Sequence, residues 1–324
     1  MSTPADRAAQ ASWTADRERS NLWVLRLMRW IALTAGRRVS RGVLHPITLY
    51  FLLFGGNATR QSRRYLNRAL GRAATWRDVY KHVHTFAATV LDRVYFLQDR
   101  LSSFDVTHSD VHLIDERIAR GEGAFMVGAH FGSFEALRAL GHERGRRVAM
   151  VMYEDNARLI NETLAAIAPQ ARVHTIALGR LGAMLALRNW LEGGGVAGML
   201  ADRTLPGPAV RSKTHWLPFL GEPARFSDGP FRLAAMLRRP VVFITGIYHG
   251  GDRYELRFVP LTVENEVHAD SDTQIRVTLE RYVAQLESLC REQPYNWFNF
   301  FDFWADDPTA VVAPAPAPAP DRKE

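Results

Sequence analysis

The amino-acid sequence predicts an α/β protein: a mixed, mainly parallel sheet flanked by helices, preceded by a helical membrane-anchoring segment. Three observations carry this. From about residue 120, short continuous apolar runs of strand length alternate with segments of helical spacing. Before residue 100, apolar residues recur at helical intervals instead. With 324 residues and 47% hydrophobic content, the chain has ample material for a core.

Residues 1–20 are polar and read as a flexible N-terminus, and 21–100 as a helical membrane-associating region. Within that region Trp76–Leu101 places Val79, Val83, Phe86, Val90, Val94 and Leu97 at spacings that predict one buried helix face. A second domain over 101–305 follows. Its expected strands are Ala124–Ala129, Arg147–Tyr153, Val173–Leu178, Val196–Ala201, Val241–Tyr248 and Tyr254–Pro260. Helical segments fall near 133–144, 156–168, 180–192 and 228–238, with a long helix at 272–292. Gly193, Gly194 and Gly195 read as a helix-ending turn, since no Lys-Ser/Thr pair follows them. An aromatic cluster over Tyr295–Trp304 precedes an Ala/Pro tail, 306–324, which has no core to join and is expected to be disordered.

The net charge of +7 rests on arginine, since Lys81, Lys213 and Lys323 are the only lysines. Twelve arginines and one acid, Glu18, lie between Arg17 and Arg72, a concentration suited to a polyanionic partner, either nucleic acid or an anionic membrane surface. Arg26 and Arg29 share a helical face in the apolar run Leu22–Leu33, and Trp23 and Trp30 suit a headgroup boundary. A second apolar piece, Ile47–Phe54, follows Pro46. Neither reaches the roughly 18–20 clean apolar residues of a spanning helix, so an interfacial anchor on an anionic membrane is expected. The alternative is an ordinary core helix followed by a loop. The single cysteine, Cys290, precludes an internal disulfide and reads as inert core. No charged-apolar-small cleavage pattern opens the chain, which argues against secretion.

The segment Ala124–Glu135 holds the sharpest chemical signal. An apolar strand ends on His130, Phe131 and Gly132 follow, Ser133 is placed to cap a helix, and Glu135 lies in its first turn. A histidine followed at the fifth position by an acid is expected about once by chance among eleven histidines, so placement matters more than spacing. The carboxyl end of a strand is where open α/β sheets form their ligand crevice. There Glu135 can fold back to one imidazole nitrogen, leaving the other as a general base. The competing reading is a buried, satisfied core histidine. Gly132 permits close approach of another group. His82 with His84, and His108 with His112, suggest a metal only weakly, because the first pair points about 200° apart on a helix. No G-x-S-x-G elbow is present, which argues against an α/β-hydrolase.

The block Gly128 to Glu135 resembles the His-x4-acid motif of the lysophospholipid/glycerolipid acyltransferase superfamily, in particular its bacterial lipid A biosynthesis branch. Pro218-Phe219-Leu220-Gly221 and the helix after it resemble that branch's Pro-Phe-x-Gly block, and Tyr153, Asn156, Asp202, Arg203 and the late tryptophan-rich block fall in its order. The resemblance covers about residues 20–304. Glu154 where an arginine is usual, the short Ala201-Asp202-Arg203 motif and the ending from Trp297 to Trp304 depart from the lipid A pattern. They look more like relatives encoded with aryl-polyene pathways.

The resemblance implies transfer of an acyl group from an acyl thioester, on acyl carrier protein or coenzyme A, to a hydroxyl of a membrane lipid. It implies His130 as base, no metal, no bound cofactor, no nucleic acid, and a place on the cytoplasmic face of a bacterial inner membrane. Arg203, Arg158 and Arg172 are candidates to bind an oxyanion or an acceptor phosphate. Arg203, beside Asp202, ranks first, against a plain salt bridge to Asp202 or Asp228. Phe131, Phe219 and Phe226 are candidates to wall an acyl groove, with Gly221 beside them, or are simply core. Two rivals stand: a lipid esterase or phospholipase-like hydrolase, and a non-catalytic basic protein binding lipid or nucleic acid.

Overall fold

A computed structural model of the chain describes residues 29–153, 174–203, 213–262 and 272–304. The helix expected at 156–168, Arg158, Arg172, Trp23, Arg26 and the Ala/Pro tail lie outside the described residues.

A seven-stranded sheet organises the molecule. Its strands are β1 (Asp105–His108), β2 (Ala124–Gly128), β3 (Val148–Tyr153), β4 (His174–Leu178), β5 (Val196–Leu200), β8 (Val241–Tyr248) and β9 (Arg253–Pro260), in the order β1-β9-β8-β2-β5-β3-β4. All neighbours are parallel except β8 and β9. This matches the expected mixed, mainly parallel sheet. The central strands β2 and β8 are buried at every residue, as near-continuous apolar runs covered on both faces must be. Alternation sorts their side chains: Phe125 and Val127 join one apolar cluster, Ala124 and Met126 the other.

Helices cover both faces. One cluster includes residues from α2 (Gly56–Leu70), α6 (Ala183–Glu192), α7 (Gly229–Met236) and α8 (Asp272–Glu292). The other takes Leu44 from α1 (Gly36–Phe54), Leu91 and Phe96 from α3 (Trp76–Phe96), Ile114 from α4 (His112–Ala119) and Leu137 from α5 (Phe134–Glu143). Each fully buried Leu or Phe contributes roughly 1.5–3 kcal/mol. After α6, Gly194 takes φ +75° and its N–H donates to Leu191, the expected helix-ending turn.

Three elements escape the sequence reading. Strand β1 and helix α4 are short and largely exposed. The third is the hairpin of β6 (Thr214–Phe219) and β7 (Glu222–Ser227). Leu220 and Gly221 have φ +52° and +90°, the positive pair that a tight two-residue turn requires. The Leu220 N–H, held at 2.9 Å by the Glu287 carboxylate, keeps a non-glycine residue there.

The N-terminal helices add two points. Pro46 lies inside α1, which runs unbroken from Gly36 to Phe54. The carbonyl of Gly42, four residues earlier, loses its donor, and it does so on a solvent-exposed residue. On α3, Val79 and Val94 are buried as expected, as is Leu97 just past its end, and Val83 and Val90 are partly so. Phe86, however, is exposed, and the buried stripe also carries Asp78, His82 and Asp92. Each has partners: Asp78 pairs with Arg72 and caps the helix with Thr75, while Asp92 accepts a bidentate pair from Arg37 and the Tyr254 hydroxyl. The Arg37–Asp92 pair ties α1 to α3. Among the described residues, no helix is long and apolar enough to cross a membrane.

Candidate active site

Register alone brings two residues of this sheet together. Gly128 of β2 pairs with Leu200 of β5, and the Ala201 N–H donates to the Gly128 carbonyl. His130 and Asp202 each lie two residues beyond that pair, at the carboxyl ends of adjacent parallel strands about 4.8 Å apart. Their side chains meet there. His130 Nδ1 lies 2.8 Å from Asp202 Oδ1, and the His130 backbone N–H donates to Oδ2 at 3.1 Å.

Asp202 is buried, and a third donor reaches it: the Trp297 indole N–H, 2.9 Å from Oδ2. Burial pushes the carboxyl pKa up. The charge of His130, the hydrogen bonds from its imidazole and from Trp297, and nearby Arg203 outweigh that and hold it at about 2. An ionised acceptor fixes the proton of the neutral imidazole on Nδ1. Nε2 then carries a lone pair, on a side chain one-third exposed.

The loop beyond β2 is stitched from two directions. Phe131 forms an antiparallel bridge with Trp297, the Gly132 N–H donates to Asn296 and the Phe298 N–H to His130. Asn296 in turn brackets the backbone of Tyr248 through both amide atoms, so the aromatic segment extends the end of β8. Gly132 has φ +61°, and a Cβ there would meet the Gly246 carbonyl oxygen at 1.9 Å. The group that approaches Gly132 is thus the backbone of β8. Ser133 caps α5 by accepting from the Ala136 N–H. The backbone N–H groups of His130, Phe131, Gly132 and Ser133 are all committed, to Asp202, Ala129, Asn296 and Gly246.

Glu135 does not fold back to the imidazole; its carboxylate pairs with Arg93 of α3 at 2.8 Å. A residue in the first helical turn projects from the α5 surface, and Arg93 supplies the nearest charge there. Arg203 lies over the Phe301 ring, 5.3 Å from its centroid, with no carboxylate in ion-pair distance among the described residues. Asp228, its other suggested partner, is taken by Arg232 and His215. Phe131, Phe219 and Phe226 are buried, and Phe219 and Phe226 pack edge-to-face, with Phe219 also against Trp297. They form an aromatic core under the site rather than an open wall, and Gly221 belongs to the hairpin turn. Cys290 is buried, and burial pushes its thiol well up.

His82 is fully buried, with Nδ1 2.8 Å from the Ser62 hydroxyl and Nε2 2.8 Å from the Trp297 carbonyl. His84 stacks on His45. Among the described residues, no three His, Cys, Asp or Glu side chains are grouped to hold a metal ion.

Sequence reasoning grouped Asp202 with Arg203, as a pair assisting acceptor or oxyanion binding, and it left Trp297 without a role. The missing signal was the equal offset of His130 and Asp202 from the ends of two strands, legible only once those strands are neighbours. Comparison with curated proteins found no match. The family model for bacterial lipid A biosynthesis acyltransferases, in contrast, matches residues 12–305, almost the whole chain. The chain belongs to the bacterial lipid A biosynthesis acyltransferase family and is an acyltransferase.

Proposed function

We propose that the protein moves a fatty acyl group from an acyl thioester, on acyl carrier protein or coenzyme A, to a hydroxyl of a membrane lipid, with His130 as general base. The observation that carries this is the Asp202 carboxylate on Nδ1, which leaves Nε2 without a hydrogen-bond partner among the described residues, on a partly exposed ring. Nε2 takes the acceptor's hydroxyl proton as its oxygen attacks the thioester carbonyl. The tetrahedral oxyanion collapses, the carbon–sulfur bond breaks, and the imidazolium returns its proton to the departing thiolate. Positioned proton transfer of this kind is worth about 10²–10⁴-fold. In this reading Asp202, not Glu135, orients the base, and Glu135 braces α5 against α3.

The oxyanion needs donors, and the loop amides from His130 to Ser133 are already engaged. Arg203, adjacent to Asp202 and stacked on Phe301, is our candidate for the oxyanion or for an acceptor phosphate. In this reading the reaction takes place at the cytoplasmic face of the inner membrane. Leu49, Tyr50, Phe51, Leu53 and Phe54 are exposed along the end of α1, and Arg60, Arg63 and Arg64 follow on α2, an apolar face with a basic rim. The departures at Glu154 and after Trp297 favour an acceptor other than lipid A itself, as in the aryl-polyene-associated relatives.

Mass spectrometry of lipid extracts from a strain lacking the gene tests this reading. One lipid is expected to be lighter by a single acyl group, restored by the wild-type protein and not by His130→Ala. Full restoration by His130→Ala, or release of free fatty acid as the sole product in vitro, would overturn it.

A further inference from the structure

We propose that Trp297 is a positioning residue for acyl transfer: its indole N–H holds the Asp202 carboxylate in the orientation that keeps Nε2 of His130 free. This rests on the reading of His130 as the base. Asp202 Oδ1 serves the imidazole, so among the described residues the rotation of the carboxylate is limited by the two donors on Oδ2, the His130 backbone N–H and the indole. The backbone bond moves with the loop that carries His130. Among the described residues the indole is the one donor that comes from a separate element, and it ties the carboxylate to the body of the protein.

Its direction is over-determined. The ring is buried, with Tyr65, Phe219 and Phe303 edge-on at centroid distances of 5.0, 5.3 and 5.0 Å. Its backbone bridges Phe131, and its carbonyl accepts from His82. A carbonyl oxygen only accepts, so the His82 proton lies on Nε2, and Ser62 donates to Nδ1. Burial lowers the His82 pKa to about 4, which keeps this outer link neutral. An indole is a donor without charge. It therefore orients Asp202 without competing for the carboxylate's charge, as a second cation would, and leaves that charge to stabilise the imidazolium formed during attack.

The test replaces Trp297 in the full-length protein with β-(3-benzothienyl)alanine, whose sulfur removes only the N–H, alongside Trp297→Phe. We expect kcat to fall about 10–100-fold, the range for groups that orient another catalytic residue, with KM for donor and acceptor nearly unchanged. The His130 Nδ1–H proton resonance should also shift or broaden by exchange. A benzothienyl variant with the parent's kcat and resonance would overturn the proposal. So would a loss of activity no larger than the loss of folded protein, since that makes the N–H a folding element. His130→Ala, assayed in parallel, separates the failures: if it keeps the parent's activity, the base assignment itself falls, whereas an inactive His130→Ala beside a fully active isostere defeats only the role of Trp297.

Discussion

His130 and His82 are both tied to Trp297, yet their surroundings prepare them for opposite tasks. His82 is fully buried and spends both nitrogens on neutral partners, the Ser62 hydroxyl and the Trp297 carbonyl. His130 spends one nitrogen on an ionised carboxylate and leaves the other on a one-third exposed face. A base must accept a proton and tolerate the resulting charge. The site of His82 opposes that charge by desolvation, while the site of His130 meets it with Asp202. Histidine content therefore says little about chemistry here; the partner at the second nitrogen decides it.

Removing that partner's charge should have the largest effect. In Asp202→Asn the amide can turn its oxygen or its NH2 toward Nδ1, which releases the tautomer, and imidazolium no longer has a counter-charge. Steady-state kinetics should show kcat down by about 10²–10⁴-fold with an intact thermal transition. A fall of less than tenfold would mean that Asp202 is structural and that the two histidines differ less than their geometry indicates.

His82 should respond through stability. Its folded pKa is about 4, below the roughly 6.5 of an unfolded chain, so the unfolded state binds more protons between those values. Stability is full above about pH 6.5 and falls by up to about 3 kcal/mol as pH drops toward 4, where the slope ends. His84, also held at about 4, titrates in the same window. The difference between the wild type and His82→Phe therefore isolates His82. The variant should be less stable at neutral pH, by about 1–3 kcal/mol for the orphaned Ser62 and Trp297 groups. It should also lose less on acidification, in denaturant melts across that range. Parallel curves would assign the acid sensitivity elsewhere.

The contrast also explains what could be read without coordinates. Val241–Tyr248 was legible to the residue because a strand buried on both faces is a continuous apolar run. The hairpin was not, since Pro218 and Pro223 interrupt alternation and its turn depends on Leu220 at positive φ. At the site, strand, His130 and cap were all local features. The imidazole's partner was not local: Glu135 lay five residues away in sequence, and Asp202 lies 72 away, joined only by the pairing of β2 with β5. The buried stripe of α3 was legible only in part, for a related reason. Asp92 and His82 belong inside because partners from α1, α2 and the aromatic segment satisfy them, and spacing along one helix cannot reveal those partners.

Glu135→Gln is the smallest perturbation and the sharpest discriminator between the local and the distant acid. The substitution keeps the shape of the first turn of α5 and removes the charge facing Arg93. A partly exposed ion pair of this kind is worth about 0.5–1 kcal/mol, and a carboxylate in a helix's first turn adds a similar amount through the dipole. The melt should shift accordingly, and kcat should fall less than tenfold because Asp202 still holds Nδ1. If Glu135→Gln were instead as inactive as Asp202→Asn, the carboxylate would have to leave Arg93 and reach the imidazole once substrate is bound. The pairing with Asp202 would then describe the resting enzyme only, and a crystal structure with a thioester analogue would be expected to place Glu135 on the ring.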